Sequence, residues 1–180
     1  MHMPSLRLLF AVLLVSPALG GCALFGPYPT CEGTESAVAE LAKLPGLELR
    51  PERARPVGAA PGAMATASCT ADSGDAYLTA ERLYSYDGSR AEVLEYYGRA
   101  APAAGWRPVG SLDFGPDSRA VLFCFESKDR PSITLQFLSA QQLRDIHGVD
   151  PGPESTGSGG RTLFSLSAEA ATDGSRIGCV

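Results

Sequence analysis

The chain has 180 residues, 44% hydrophobic and 19% charged, enough for one ordinary globular core and too few for two large ones. A net charge of -5 without any run of Lys or Arg excludes a nucleic-acid binder, whose phosphate affinity needs clustered cations. Asn is absent, which excludes N-glycosylation as well.

Residues 1–21 begin with a short segment bearing Arg7, continue with an apolar run over 8–19 interrupted by Ser16 and Pro17, and end in small residues. This is the grammar of a secretory signal peptide; the run is shorter than the roughly 20 residues of a spanning helix. Leu19-Gly20-Gly21-Cys22 then sets an apolar residue and two small residues before a thiol. These residues resemble the lipobox of bacterial lipoproteins. The resemblance implies cleavage before Cys22, diacylglyceryl lipid on its sulfur, and a chain anchored on the extracytoplasmic face of the cell membrane. The cations are 13 Arg against two Lys (Lys43, Lys128), and Ala, Gly and Pro are abundant, a usage that points to a GC-rich, actinobacterial coding sequence. The alternative is ordinary secretion, with Ala18 and Gly20 directing cleavage before Gly21. Five cysteines in an oxidising compartment leave one unpaired unless Cys22 is lipidated, which favours the lipobox. Residues 22–30 then form a tether, stiffened by Pro27 and Pro29, with a reach of no more than roughly 30 Å.

The single domain expected over 31–180 opens with a short helix over 34–44, ended by Pro45-Gly46 and followed by a strand over 47–50. Residues 51–63 read as a surface loop, with Arg50, Arg53 and Arg55 as a solvated charge cluster. Two strands, 63–71 and 76–86, are joined as a hairpin at Asp72-Ser73-Gly74-Asp75. Ser89 and Glu92 stand in capping-box spacing before a helix whose apolar positions are Val93, Leu94, Tyr97, Ala101 and Ala104, with Gly105 at its end. Pro102 inside that helix predicts a kink or an early stop. Strands follow over 106–112, 120–126 and 132–138, with Trp106 expected to anchor helix to sheet. A helical turn over 141–147, a Gly/Pro/Ser-rich flexible loop over 148–160, a strand over 161–168 and a turn at Asp173-Gly174 complete the chain.

The hairpins predict an α+β fold, a mostly antiparallel sheet with two packing helices on one face. Residues 35–86 align with 90–139 as a repeat of helix, strand, strand, strand, with Cys69 matched to Cys124 and 77–79 to 133–135; ordinary α+β alternation accounts for the same order.

Besides Cys22, four cysteines allow three disulfide pairings. Cys31 with Cys69 and Cys124 with Cys179 is preferred, because each bridge then closes within one half of the chain. Loops of roughly 40 to 55 residues so closed stabilise by about 3 to 4 kcal/mol each. Their wide spacing lacks the C-x2-C pattern of zinc sites, so no metal or cofactor is expected.

His147 is the only histidine after the signal segment, and no G-x-S-x-G, Walker, Rossmann, H-E-x-x-H or EF-hand pattern accompanies it. It reads as a solvated side chain. Asp72 and Asp75, with Glu81, were they gathered, would resemble catalytic or calcium-binding carboxylates; turn chemistry explains the aspartates more simply. Tyr77, Tyr84, Tyr86, Tyr96 and Tyr97 are read as strand-to-helix packing ahead of a binding surface. The expectation is a non-enzymatic envelope lipoprotein with no catalytic residues that binds or scaffolds an envelope protein or wall component. Its alternatives are a small extracytoplasmic hydrolase using His147 and a carboxylate such as Asp145, and a solute-binding accessory of a transporter.

Overall fold

The computed structural model describes residues 29–58, 65–72, 74–110, 112, 122–151 and 161–179. The expected signal segment, Cys22 and most of the tether lie outside these residues, as do residues 59–63 of the expected loop and the stretch 152–160. The described chain is α+β, with three helices and a seven-stranded antiparallel sheet. In chain order the elements are α1 (Glu35–Leu41), β1 (Arg55–Pro56), β2 (Thr66–Asp72), β3 (Asp75–Asp87), α2 (Arg90–Ala103), β4 (Arg107–Pro108), β5 (Leu122–Glu126), β6 (Ile133–Leu138), α3 (Ala140–His147) and β7 (Arg161–Ala171). The strand order is β1-β3-β7-β6-β5-β4, and β2 also pairs with β3.

Period-two alternation sorts β3 onto two faces. Leu78, Ala80, Tyr84 and Tyr86 are buried on one face, joined in register by Phe164, Leu166, Ala168 and Ala170 of β7. Ile133, Leu135 and Phe137 of β6, then Phe123 and Phe125 of β5, extend this apolar surface. Leu41 of α1 and Val93, Leu94, Tyr97 and Ala101 of α2 cover it, making one main core. The β2–β3 hairpin closes between Asp72 and Asp75, where Gly74 takes φ +95, a backbone region open to glycine and strained for other residues.

At the start of α2 the Ser89 hydroxyl accepts from Glu92 N–H at 3.2 Å while the Glu92 carboxylate accepts from Ser89 N–H at 2.7 Å, the reciprocal pair expected from their spacing. Pro102 does not shorten the helix, which continues to Ala103. It sits in the last turn, where few intrahelical bonds remain to lose. The exit is closed by Gly105 at φ +87, with Gly105 N–H on Pro102 O and Trp106 N–H on Ala101 O. The next strand is shorter than the expected 106–112, since only Arg107–Pro108 pair as β4 before Gly110 turns with φ +81.

The expected strand over 47–50 is instead part of a 3-10 turn, Pro45–Glu48. Leu47 is fully buried, so its apolar side chain does mark a core position, but the backbone there coils and does not extend. Pro45 starts the turn, and Gly46 lies so close to the core that a Cβ there would come within 2.8 Å of Ile133 Cγ2 and 3.0 Å of Trp106 Cζ2. Two buried tyrosines hold the segment, Tyr84 donating to Leu47 O at 2.8 Å and Tyr97 to Leu49 O at 2.6 Å.

The sheet's second face carries a third helix where only a helical turn was expected. Leu143 of α3 packs with Leu138 and Leu163, flanked by Val57, Leu83 and Val149. Two disulfides, Cys31–Cys69 and Cys124–Cys179, have Cα separations of 5.6 and 5.9 Å; this is the pairing preferred from the sequence. They sit on opposite faces of the sheet. Cys69 is level with buried Leu78 and packs on the main core, whereas Cys124 is level with Thr134, between the core residues Phe123 and Phe125. The second bridge fastens a C-terminal arm, in which Ser132 Oγ donates to Ile177 O at 2.9 Å and Cys179 N–H donates to Glu126 at 3.1 Å.

The order helix, strand, strand, strand occurs twice, but in the first half the leading strand is β1 at Arg55–Pro56, inside the expected loop over 51–63, and not the expected 47–50. The pairing differs, because β1 and β2 both add to β3 whereas β4, β5 and β6 pair in succession. The two cysteines equated by the alignment also point to opposite faces, so the topology lends the duplication nothing beyond element order.

Candidate functional site

Glu81 of β3 is level with Ser167 of β7, and both lie on the second face of the sheet, opposite the main core. Across this face α3 brings His147, whose Nδ1 is 3.1 Å from Glu81 Oε2. Their side chains are 17% and 29% exposed, which corrects the expectation that His147 is a solvated side chain. The Ser139–Gln142 capping box starts α3 and Gly148, at φ +64, ends it, so the histidine is fixed in the last helical turn. Ser165, on the same face of β7 between Leu83 and Gln136, is fully buried and its hydroxyl has no hydrogen-bond partner among the described residues.

A histidine oriented by a carboxylate is two thirds of a nucleophilic triad. Among the described residues, no serine or cysteine side chain is hydrogen-bonded to His147, so the pair has a base and an orienting group without an attached nucleophile. Asp145, the carboxylate expected beside it in a hydrolase, is exposed to solvent on α3. Asp72 and Asp75 face each other at the hairpin end, and six residues of extended chain, about 20 Å, separate Asp75 from Glu81. Those three carboxylates therefore make no joint site. Beyond α3 the second face is polar, and Thr134, Gln136, Ser167 and Glu169 line a depression of about 250 Å3 walled by the C-terminal arm at Ile177–Cys179.

Three of the five tyrosines are packing residues, while Tyr77 and Tyr96 are half-buried. Tyr84, Tyr86 and Tyr97 are buried, and Tyr84 stacks on Phe164 with centroids 5.3 Å apart. Burial pushes the Tyr84 and Tyr97 phenols up, so both stay protonated as donors to the backbone carbonyls of the 3-10 turn and the residue after it. Arg50 and Arg53 are not merely solvated: Arg50 lies 6.0 Å from the Tyr84 ring, and Arg53 donates to Tyr86 Oη at 2.8 Å while its guanidinium stands 5.0 Å from that ring.

Among the described residues, no group of three or more His, Cys, Asp or Glu is placed to hold a metal ion, and no helix is long and apolar enough to cross a membrane. No family profile, curated protein or solved structure matches the chain.

Glu81 as the partner of His147 was not foreseen. The alternation of β3 could have put Glu81 opposite Leu78 and Ala80, but nothing local says which helix covers that face.

Proposed function

We propose that the protein is a cell-envelope lipoprotein, lipidated on Cys22, whose α+β domain binds or scaffolds an envelope protein or wall component close to the bilayer. The observation that carries this reading is the cysteine arithmetic. Four of the five cysteines are joined in two disulfides, a usage suited to an oxidising compartment, and Cys22 is left as the odd thiol behind a lipobox-like sequence. Two acyl chains anchor durably, each buried methylene contributing about 0.8 kcal/mol, while one chain binds only marginally. Cys31, bonded to the edge strand β2, is nine residues beyond Cys22, which keeps the domain within roughly 30 Å of the lipid.

Replacing Cys22 with Ser is expected to shift the protein from the membrane fraction to the medium or to leave an uncleaved precursor, read by fractionation and by intact mass. Unchanged processing and membrane retention would sink the proposal. A second reading, a small extracytoplasmic hydrolase, is favoured by the His147–Glu81 pair. Its signature is turnover of simple ester substrates that disappears in His147→Ala with the fold intact.

A further inference from the structure

We propose that the groove bounded by the end of α2, by β4 and β5, and by the C-terminal arm binds a phosphate group. Its volume is about 510 Å3, within the range of small-ligand sites. Arg107, Lys128 and Arg176 line it together with a single carboxylate, Glu126, in a chain whose net charge is -5.

Six other cations among the described residues meet carboxylates, whereas Arg55, Arg90, Arg130 and Arg144 do not. Lys43 pairs with Glu40, Arg50 and Arg82 with Glu48, Arg53 with Glu92, Arg99 with Glu95 and Arg161 with Asp87. The three groove cations have no carboxylate partner among the described residues. Glu126 is already engaged, accepting the Cys179 N–H at 3.1 Å. The groove therefore has positive charge left for a ligand.

Its frame is braced before any ligand arrives, which lowers the ordering cost of binding. Arg107 is level with Glu126 in the β4–β5 ladder, Arg176 donates to Ser127 O at 2.9 Å, and the Cys124–Cys179 bridge fastens the arm. One feature opposes an anion, since the carbonyl end of α2 is its negative pole and Pro102 and Gly105 lie on the wall. Arg130 offsets that pole. It donates to Ala104 O at 2.6 Å, with its guanidinium 3.6 Å from the Trp106 ring centroid.

Three cations from three segments suit the several oxygens of a phosphate, and the two arginine forks match it bidentately. Pro102, Pro108 and Val109, the last 50% exposed, add an apolar margin for the group esterified to the phosphate. Such a phosphate belongs either to a lipid headgroup or to a free phosphorylated molecule.

The test is calorimetric titration of sn-glycerol 3-phosphate into the full chain mixed with phosphatidylcholine vesicles, and again with phosphatidylglycerol added to the vesicles. Saturable binding is expected, weakened about fivefold by Arg107→Gln or Lys128→Gln and by added salt, while Arg144→Gln on α3 has no effect. Lys128 has no hydrogen-bonded or ion-pair partner among the described residues, so its variant folds normally. Apparent affinity that drops when phosphatidylglycerol is present identifies the headgroup as the natural source; unchanged affinity identifies a free phosphate compound. No saturable binding, or binding indifferent to both substitutions, overturns the proposal. It does not rest on the lipid anchor, because failure of Cys22 lipidation leaves the titration interpretable.

Discussion

Trp106→Ala is expected to destabilise the domain by about 3–5 kcal/mol, a large share of the roughly 5–15 kcal/mol that holds a typical domain folded. Trp106 is the only tryptophan and is fully buried, and two parts of the fold distant in sequence, the 3-10 turn and the connection at 130–131, meet on it. Gly46 of the 3-10 turn lies against its six-membered ring, its Nε1 donates to Pro131 O at 3.0 Å, and Arg130 covers its outer side. Removing the indole opens a cavity beneath all three and leaves Arg130 without its stacking partner. With a urea slope of about 2 kcal/mol per M, the midpoint falls by about 2 M. The transition must be followed by far-UV circular dichroism, since the variant has no tryptophan emission. Trp106→Phe keeps most of the apolar volume and should recover more than half of the loss, the remainder reflecting the bond to Pro131 O. A Trp106→Ala midpoint within 0.5 M, roughly, of the parent's would show that the ring is not the joint between α2, the 3-10 turn and the sheet.

The second large effect is expected from the disulfides. Replacing both Cys124 and Cys179 by Ala releases a closure of 55 residues, and replacing both Cys31 and Cys69 releases one of 38. The chain-entropy estimate is about 4 kcal/mol in each case, because the cost grows only logarithmically with loop length. For a domain of this size that corresponds to a fall in Tm of roughly 10 °C, read by scanning calorimetry without reductant. The two losses differ in kind. Without Cys124–Cys179 the arm keeps the hydrogen bonds of Arg176, Ser132 and Glu126 and the 171–176 turn with its Ala170–Arg176 bridge, but loses its covalent tie to β5, so the arm and the phosphate groove should loosen together. Without Cys31–Cys69, α1 keeps its own packing on the main core through Leu41, and the groove is untouched. Calorimetric traces of both double variants that coincide with the parent's would contradict this account, and a Cys69–Cys124 peptide in a non-reduced digest would contradict the pairing itself.

Much of the architecture was legible because it is local. The Asp72-to-Asp75 turn, the Ser89 and Glu92 capping box and the Gly105 exit each depend on residues within a few positions of one another. The cysteine pairing was legible for a related reason, since two bridges that each close within one half of the chain fit two helix-and-hairpin units. Leu47 shows where local reading stops. Its burial follows from its apolar side chain, but whether the backbone extends or coils there depends on Gly46 meeting Ile133 and Trp106, residues distant in sequence.

The amino-acid sequence by itself determined the α+β character, the hairpins, the helix boundaries near Ser89 and Gly105 and the odd cysteine at position 22, because propensity, alternation and capping act over a few residues. Only the tertiary structure decided that β7, the last strand, lies between β3 and β6, and that α3 covers the second face with His147 against Glu81. The same holds for Arg107, Lys128 and Arg176, which form no basic run and yet line one groove. Pairings of this kind are fixed by which apolar faces can be buried together, a balance over the whole chain that no short window of residues contains.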